Sequence, residues 1–70
     1  MDDMKDAVQN KIYEIRMRAD ITQEKLSEKI GVSRQTIIAI EKGNYIPSVL
    51  LALKLAKFFK QPVEELFSLQ

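Results

Sequence analysis

Apolar residues recur at helical intervals along most of the chain. Val8, Ile12, Ile15 and Ala19 step by four, three and four; Leu26 and Ile30 lie four apart, and Ile37 and Ile40 three apart. Ala52, Leu55, Ala56 and Phe59 repeat the pattern further on. Such spacing lays one apolar stripe along a helix. The polar and turn-forming residues between the stripes then divide the chain. Residues 1–6 read as a short flexible lead, and a first helix is predicted from about Asp6 to Ala19. Asp20 and Ile21 break it. Thr22 caps a second helix running to Ile30, and Ser33 caps a third that stops near Lys42. A loop follows from Asn44, Pro47 and Ser48 restart the chain, and a fourth helix spans roughly Val49 to Phe59. Pro62 ends it, and Val63 to Phe67 suits one short fifth helix. No β pattern is visible, and the tail Phe67-Ser-Leu-Gln70 is too short to promise a strand pair. The expected architecture is all-α, five helices around one small core, in a single domain covering residues 1–70.

The second and third helices abut closely. Only Gly31 and Val32 separate the last apolar residue of one from the cap of the next. Gly31 can take the left-handed conformation that stops a helix, Ser27 is small enough to let another helix approach, and Val32 plugs the corner. Gly43 stands where the third helix should terminate. Residues 22–43 therefore read as a helix-turn-helix, which sets the N-terminus of its second helix into the major groove of DNA.

Composition narrows the chemistry. There is no cysteine and no histidine, so disulfides, thiolate or imidazole metal sites and Ser-His or Cys-His catalysis are all excluded. No Asp-rich calcium loop occurs, and two glycines cannot build a phosphate-cradling loop. No enzyme activity, cofactor or metal is expected. The acidic start, Met1-Asp-Asp-Met-Lys5, does not read as a signal peptide, and no apolar run approaches membrane-spanning length. A soluble cytoplasmic protein, nucleoid-associated and without a small-molecule ligand, is the expectation. The net charge is only +1, but its distribution is uneven. Arg34, Lys42, Lys54, Lys57 and Lys60 face a single acid, Glu41, between residues 34 and 60, while Asp2, Asp3, Asp6, Glu64 and Glu65 lie toward the ends. That makes a modest basic face rather than a strong non-specific one.

Ordered agreement across five helices gives a family resemblance. The residues that carry it are Ile12-Tyr-Glu-Ile-Arg16, Ile21-Thr-Gln-Glu24, Gly31-Val-Ser-Arg-Gln-Thr-Ile37, Ile40-Glu41-Lys42-Gly43, Pro47-Ser48 and Glu64-Glu-Leu-Phe67. The chain resembles the Cro/C1-type (XRE) helix-turn-helix repressors, especially their short, single-domain dimeric members. The resemblance implies a compact lambda-repressor-like domain that binds double-stranded DNA as a homodimer.

Arg34, Gln35 and Thr36, in the first turn of the third helix, are the candidate base readers, since Arg can pair bidentately with guanine and Gln with adenine. The resemblance puts Arg34 and Gln35 on the base-contacting positions, and Ala39 where a third, usually polar, reader stands. Gln23 opens the second helix, where free N–H groups favour a phosphate, and the family commonly uses this Gln as a backbone clamp. Ser33, Lys42, Asn44 and Tyr45 are further phosphate candidates, although Asn44 and Tyr45 serve the turn equally well. Lys54 and Lys57 suit a solvated face. The resemblance also implies a largely buried salt bridge between Arg16 and Glu41.

Some positions depart from the family pattern. Ile38 and Leu50 occupy places that are commonly polar, and Lys60-Gln61 stands where a helix-ending glycine is frequent. Grouped with Phe58, Val63, Leu66, Phe67 and Leu69, Ile38 and Leu50 point to a subunit interface, and the expected dimer contact is the fifth helix with the C-terminal end of the fourth, through Phe58, Leu66, Phe67 and Leu69. Two functions follow. The first is a sequence-specific regulator, a repressor on a palindromic operator; the second is a protein-interaction module, antitoxin-like or a bridging coactivator, working through its apolar surface.

Overall fold

The computed structural model describes residues 6–70. It contains, in chain order, β1 (Val8–Asn10), α1 (Ile12–Arg18), α2 (Gln23–Ile30), α3 (Arg34–Glu41), α4 (Val49–Phe59), α5 (Val63–Leu66) and β2 (Phe67–Leu69). The five helices form, and the chain stays mostly helical. Of the expected flexible lead, residues 1–5 lie outside the described residues.

Two expectations need correction. The first helix does not begin near Asp6: Val8–Asn10 is a strand, and α1 starts only at Ile12. Nor is the tail too short to pair. β1 and β2 run antiparallel, with Val8 opposite Leu69, Gln9 opposite Ser68 and Asn10 opposite Phe67. Lys11 N donates to Leu66 O at 2.9 Å and Gln70 N to Ala7 O at 2.8 Å, closing both ends of the ribbon. Val8, in the strand, and Ala19, the cap at the end of α1, both lie outside the buried stripe and are exposed.

Side-chain caps start three of the helices. Thr22, Ser33 and Ser48 accept from the backbone N–H groups of Lys25, Thr36 and Leu51 at 3.0, 3.2 and 3.1 Å. α1 starts differently. Asn10 Oδ1 accepts from Ile12 N at 3.1 Å, while its Nδ2 donates to Ile40 O at 2.9 Å, tying the strand to the end of α3. Gly31 and Gly43 end α2 and α3 at φ of 88° and 79°. At the end of α4 no glycine is present, and Lys60 itself takes the left-handed conformation, with φ of 59°.

Every helix sends side chains into one core: Ile12 and Ile15, Leu26 and Ile30, Ile37 and Ile40, Leu51, Leu55 and Ala56, and Leu66. A fully buried Ile or Leu contributes about 1.5–3 kcal/mol. Ile37 and Ile40 have no exposed surface at all, so α3 is pinned by its inner face and leaves its first turn outside.

Candidate nucleic-acid interface

Ser33 determines how α3 is presented. Its hydroxyl caps Thr36 N and lies 3.0 Å from the Thr36 hydroxyl, so Thr36 belongs to the cap. Thr36 is half-buried and lines a groove with Val32, Tyr45, Ser48, Leu50, Leu51 and Lys54. Arg34 and Gln35 are exposed beside it. Among the proposed base readers these two stand free, Thr36 turns toward α4, and Ala39 is half-buried one turn on.

Arg34 also borders a cleft of about 320 Å³ that it shares with Arg16, Thr22, Gln23 and Glu24. The starts of α2 and α3 therefore open on the same space. The first N–H groups of a helix have no intrahelical acceptor, and the helix dipole makes this end attractive to an anion. Gln23 and Arg34 add side-chain donors, while Glu24 is an acid on the same rim that weakens the local positive field.

Arg16 and Gln23, which line this cleft, belong to a hydrogen-bonded charge cluster. Arg16 Nε donates to Glu41 Oε2 at 2.6 Å and Arg16 Nη2 to Glu41 Oε1 at 3.2 Å, a bidentate pair. Arg16 Nη1 donates to Ile21 O at 3.0 Å, and Gln23 Nε2 donates to Glu41 Oε1 at 3.0 Å. The side chains of Arg16 and Glu41 are 8% and 5% exposed. Hydrogen bonding to Glu41 raises the Arg16 pKa above its ordinary value; desolvation opposes this, and the charge of Glu41 and the proximity of Tyr13 reinforce it. The guanidinium carbon sits over the Tyr13 ring, 5.4 Å from its centre. The cluster joins α1, the start of α2 and the end of α3.

The remaining phosphate candidates lie past α3. Lys42, Asn44 and Tyr45 are exposed, and Asn44 N donates to Ala39 O at 2.9 Å, fixing the chain reversal. Lys54 Nζ lies 3.4 Å from Ile30 O at the end of α2.

The expected dimer surface is only partly available. Leu66 is 1% exposed and belongs to the core, so it offers nothing to a partner. Phe58 and Phe67 are half-buried against that core, and of the four residues only Leu69, 66% exposed, stands free. The larger apolar surface lies elsewhere. Ile46, Val49 and Leu53 project from the start and outer side of α4, Val49 with 74% of its surface exposed. Ile46 and Val49 border a shallow apolar pocket that is also lined by Val8, Pro47, Ala52, Val63 and Phe67. The signal for this face is present in the sequence: apart from Lys54 and Lys57, α4 is apolar throughout, with more apolar residues than one core-facing stripe requires. Asn10, the other missed residue, carries no signal until β1 and α3 are placed together.

Two abutting helices, a capped reading helix with its polar start exposed, and a second helix start beside it define a helix-turn-helix DNA-binding domain. The comparisons agree. A helix-turn-helix family model, HTH_3, matches residues 12–66. The chain belongs to this Cro/C1-type (XRE) family of DNA-binding transcriptional regulators. It is 52% identical over 63 residues to the uncharacterized HTH-type transcriptional regulator YgzD of Bacillus subtilis, covering 90% of this chain and 96% of that one. It is 41% identical over 59 residues to the cryptic phage CTXphi transcriptional repressor RstR of Vibrio cholerae, spanning 84% of this chain and 53% of RstR. In fold it is similar to the crystal structure of the transcriptional regulator VanUg, with a TM-score of 0.76 at 17% identity, over 93% of this chain and 87% of that one.

Proposed function

We propose that this protein is a sequence-specific transcriptional repressor that binds a palindromic operator as a homodimer, with α3 in the major groove. It acts in the cytoplasm, on the nucleoid. The observation that carries the reading is the exposure of Arg34 and Gln35 at the start of α3, next to the Gln23 end of α2. Arg34 and Gln35 read base edges, with Ala39 offering an apolar contact and Thr36 a peripheral one. Gln23, Ser33, Lys42, Asn44 and Tyr45 take the flanking phosphates and fix register. RstR, named as a repressor, supports the direction of regulation.

One module of this size covers little DNA, so a two-fold pair is needed for a tight operator complex. Its reading helices would stand about 34 Å apart, one turn of the duplex. The outer side of α4, with Ile46, Val49 and Leu53 beside Leu69, is the surface that fits a second copy. Selection of bound duplexes from a randomised library tests the reading, run with the parent and with Arg34→Ala/Gln35→Ala. The expected result is a palindrome with half-sites about 10 bp apart, lost in the double variant. No enrichment from a folded parent refutes it. The same apolar side of α4 would then favour the interaction module.

A further inference from the structure

Glu41 sits at the far end of α3 from the reading residues, yet it touches the start of α2. Its carboxylate accepts three hydrogen bonds, two from Arg16 and one from Gln23 Nε2. A carboxylate only accepts, so it is the amide nitrogen of Gln23, and not the oxygen, that must face it. That contact settles the rotation of the Gln23 amide. One of the two amide hydrogens is engaged at 3.0 Å, and the other is left to donate. The opposite rotamer would put the amide oxygen against the carboxylate and turn both hydrogens away.

We propose that Glu41 is a positioning residue for DNA binding: by holding Gln23 Nε2, it aims the remaining amide hydrogen at a backbone phosphate. This rests on the proposed DNA-binding reading and adds a second task to a residue that otherwise serves the fold. The same carboxylate secures Arg16 and orients Gln23, so the ion pair and the clamp are one unit. A free Gln side chain would have to be ordered at the moment of binding; here the ordering is done on folding. The arrangement also makes a sign prediction. Glu41 is an anion close to where a phosphate would sit, and by charge alone its removal strengthens DNA binding. By positioning, its removal weakens it.

The test has two parts. In the free protein, NMR of the Gln23 side-chain amide is compared between the parent, Glu41→Gln and Arg16→Met/Glu41→Met. The methionine pair removes both charges together and strands neither, so it is expected to cost less stability than Glu41→Gln, which leaves the Arg16 charge without its ionic partner. The Gln23 amide resonances move in both variants; unchanged resonances overturn the proposal. In the second part, affinity for one operator duplex is measured in a double-mutant cycle with Gln23→Ala, at a temperature where circular dichroism shows every protein folded. Gln23→Ala alone weakens binding about tenfold, the scale of one hydrogen bond to a charged group. Each Glu41 variant weakens binding comparably in the parent background and by no more than about twofold when Gln23 is already Ala. Unchanged or tighter binding, or losses that simply multiply, overturn the proposal. A folded parent that binds no duplex refutes the DNA-binding reading itself, and the proposal falls with it.

Discussion

Truncating Glu41 to Ala should nearly unfold this protein. The side chain is 5% exposed and its bidentate partner Arg16 is 8% exposed, so the variant leaves a buried guanidinium with Ile21 O as its remaining protein acceptor. Breaking one side of such a pair costs about 3–5 kcal/mol, chiefly as the penalty of an uncompensated buried charge. A domain of 70 residues has a total stability of roughly 4–10 kcal/mol at typical per-residue values. The loss therefore takes a third to all of it. At about 4–8 °C per kcal/mol for a domain of this size, melting falls by about 12–40 °C. Thermal unfolding followed by far-ultraviolet circular dichroism measures this directly. The paired replacement Arg16→Met/Glu41→Met should melt far closer to the parent, because no charge is stranded. If Glu41→Ala melts within about 5 °C of the parent, the pair is not the buried device its geometry describes.

Further expectations concern other parts of the chain. Lys60 holds a left-handed conformation that favours glycine, so Lys60→Gly should stabilise by about 0.5–1 kcal/mol and raise the melting midpoint by several degrees; a lowered midpoint contradicts this. Arg34→Ala should cost about 1–3 kcal/mol of binding per contact and relax selectivity for one base pair per half-site, read from titrations against the operator and its single-base variants. Val49→Asp/Leu53→Asp should leave the melting curve close to that of the parent while abolishing the dimer in sedimentation at tens of micromolar protein. A dimer that survives places the interface elsewhere. Leu66→Ala should instead destabilise by about 2–5 kcal/mol, as expected for a core leucine at 1% exposure, and chemical denaturation measures it.

Local signals made much of the molecule readable in advance. Thr22, Ser33 and Ser48 cap helices because a short side-chain oxygen can satisfy a free N–H within three residues. Gly31 and Gly43 end helices because they tolerate positive φ. The exposed pair Arg34-Gln35 followed from the cap before it and the apolar Ile37 and Ile40 behind it. Each of these features depends only on neighbours within one or two helical turns. The start of α1 is not legible for the same reason. Val8 continues the helical spacing of Ile12 and Ile15, and nothing nearby contradicts it.

The sequence by itself determined the elements whose energetics are local: α2, α3 and α4, their caps and stops, and the polar start of the reading helix. Tertiary structure alone decided the rest. Val8–Asn10 becomes a strand because α5 carries Phe67–Leu69 alongside it, sixty residues away in the chain. Three-residue strands have no stable existence apart; packing of α5 through Leu66 brings them together and repays the loop closure. The same assembly moved Leu66 from an expected interface into the core, left the outer side of α4 bare, and brought Gln23 within reach of Glu41. Periodicity shows which face of a helix is apolar. Which neighbour covers that face depends on how all five helices pack, and that is a property of the folded chain as a whole.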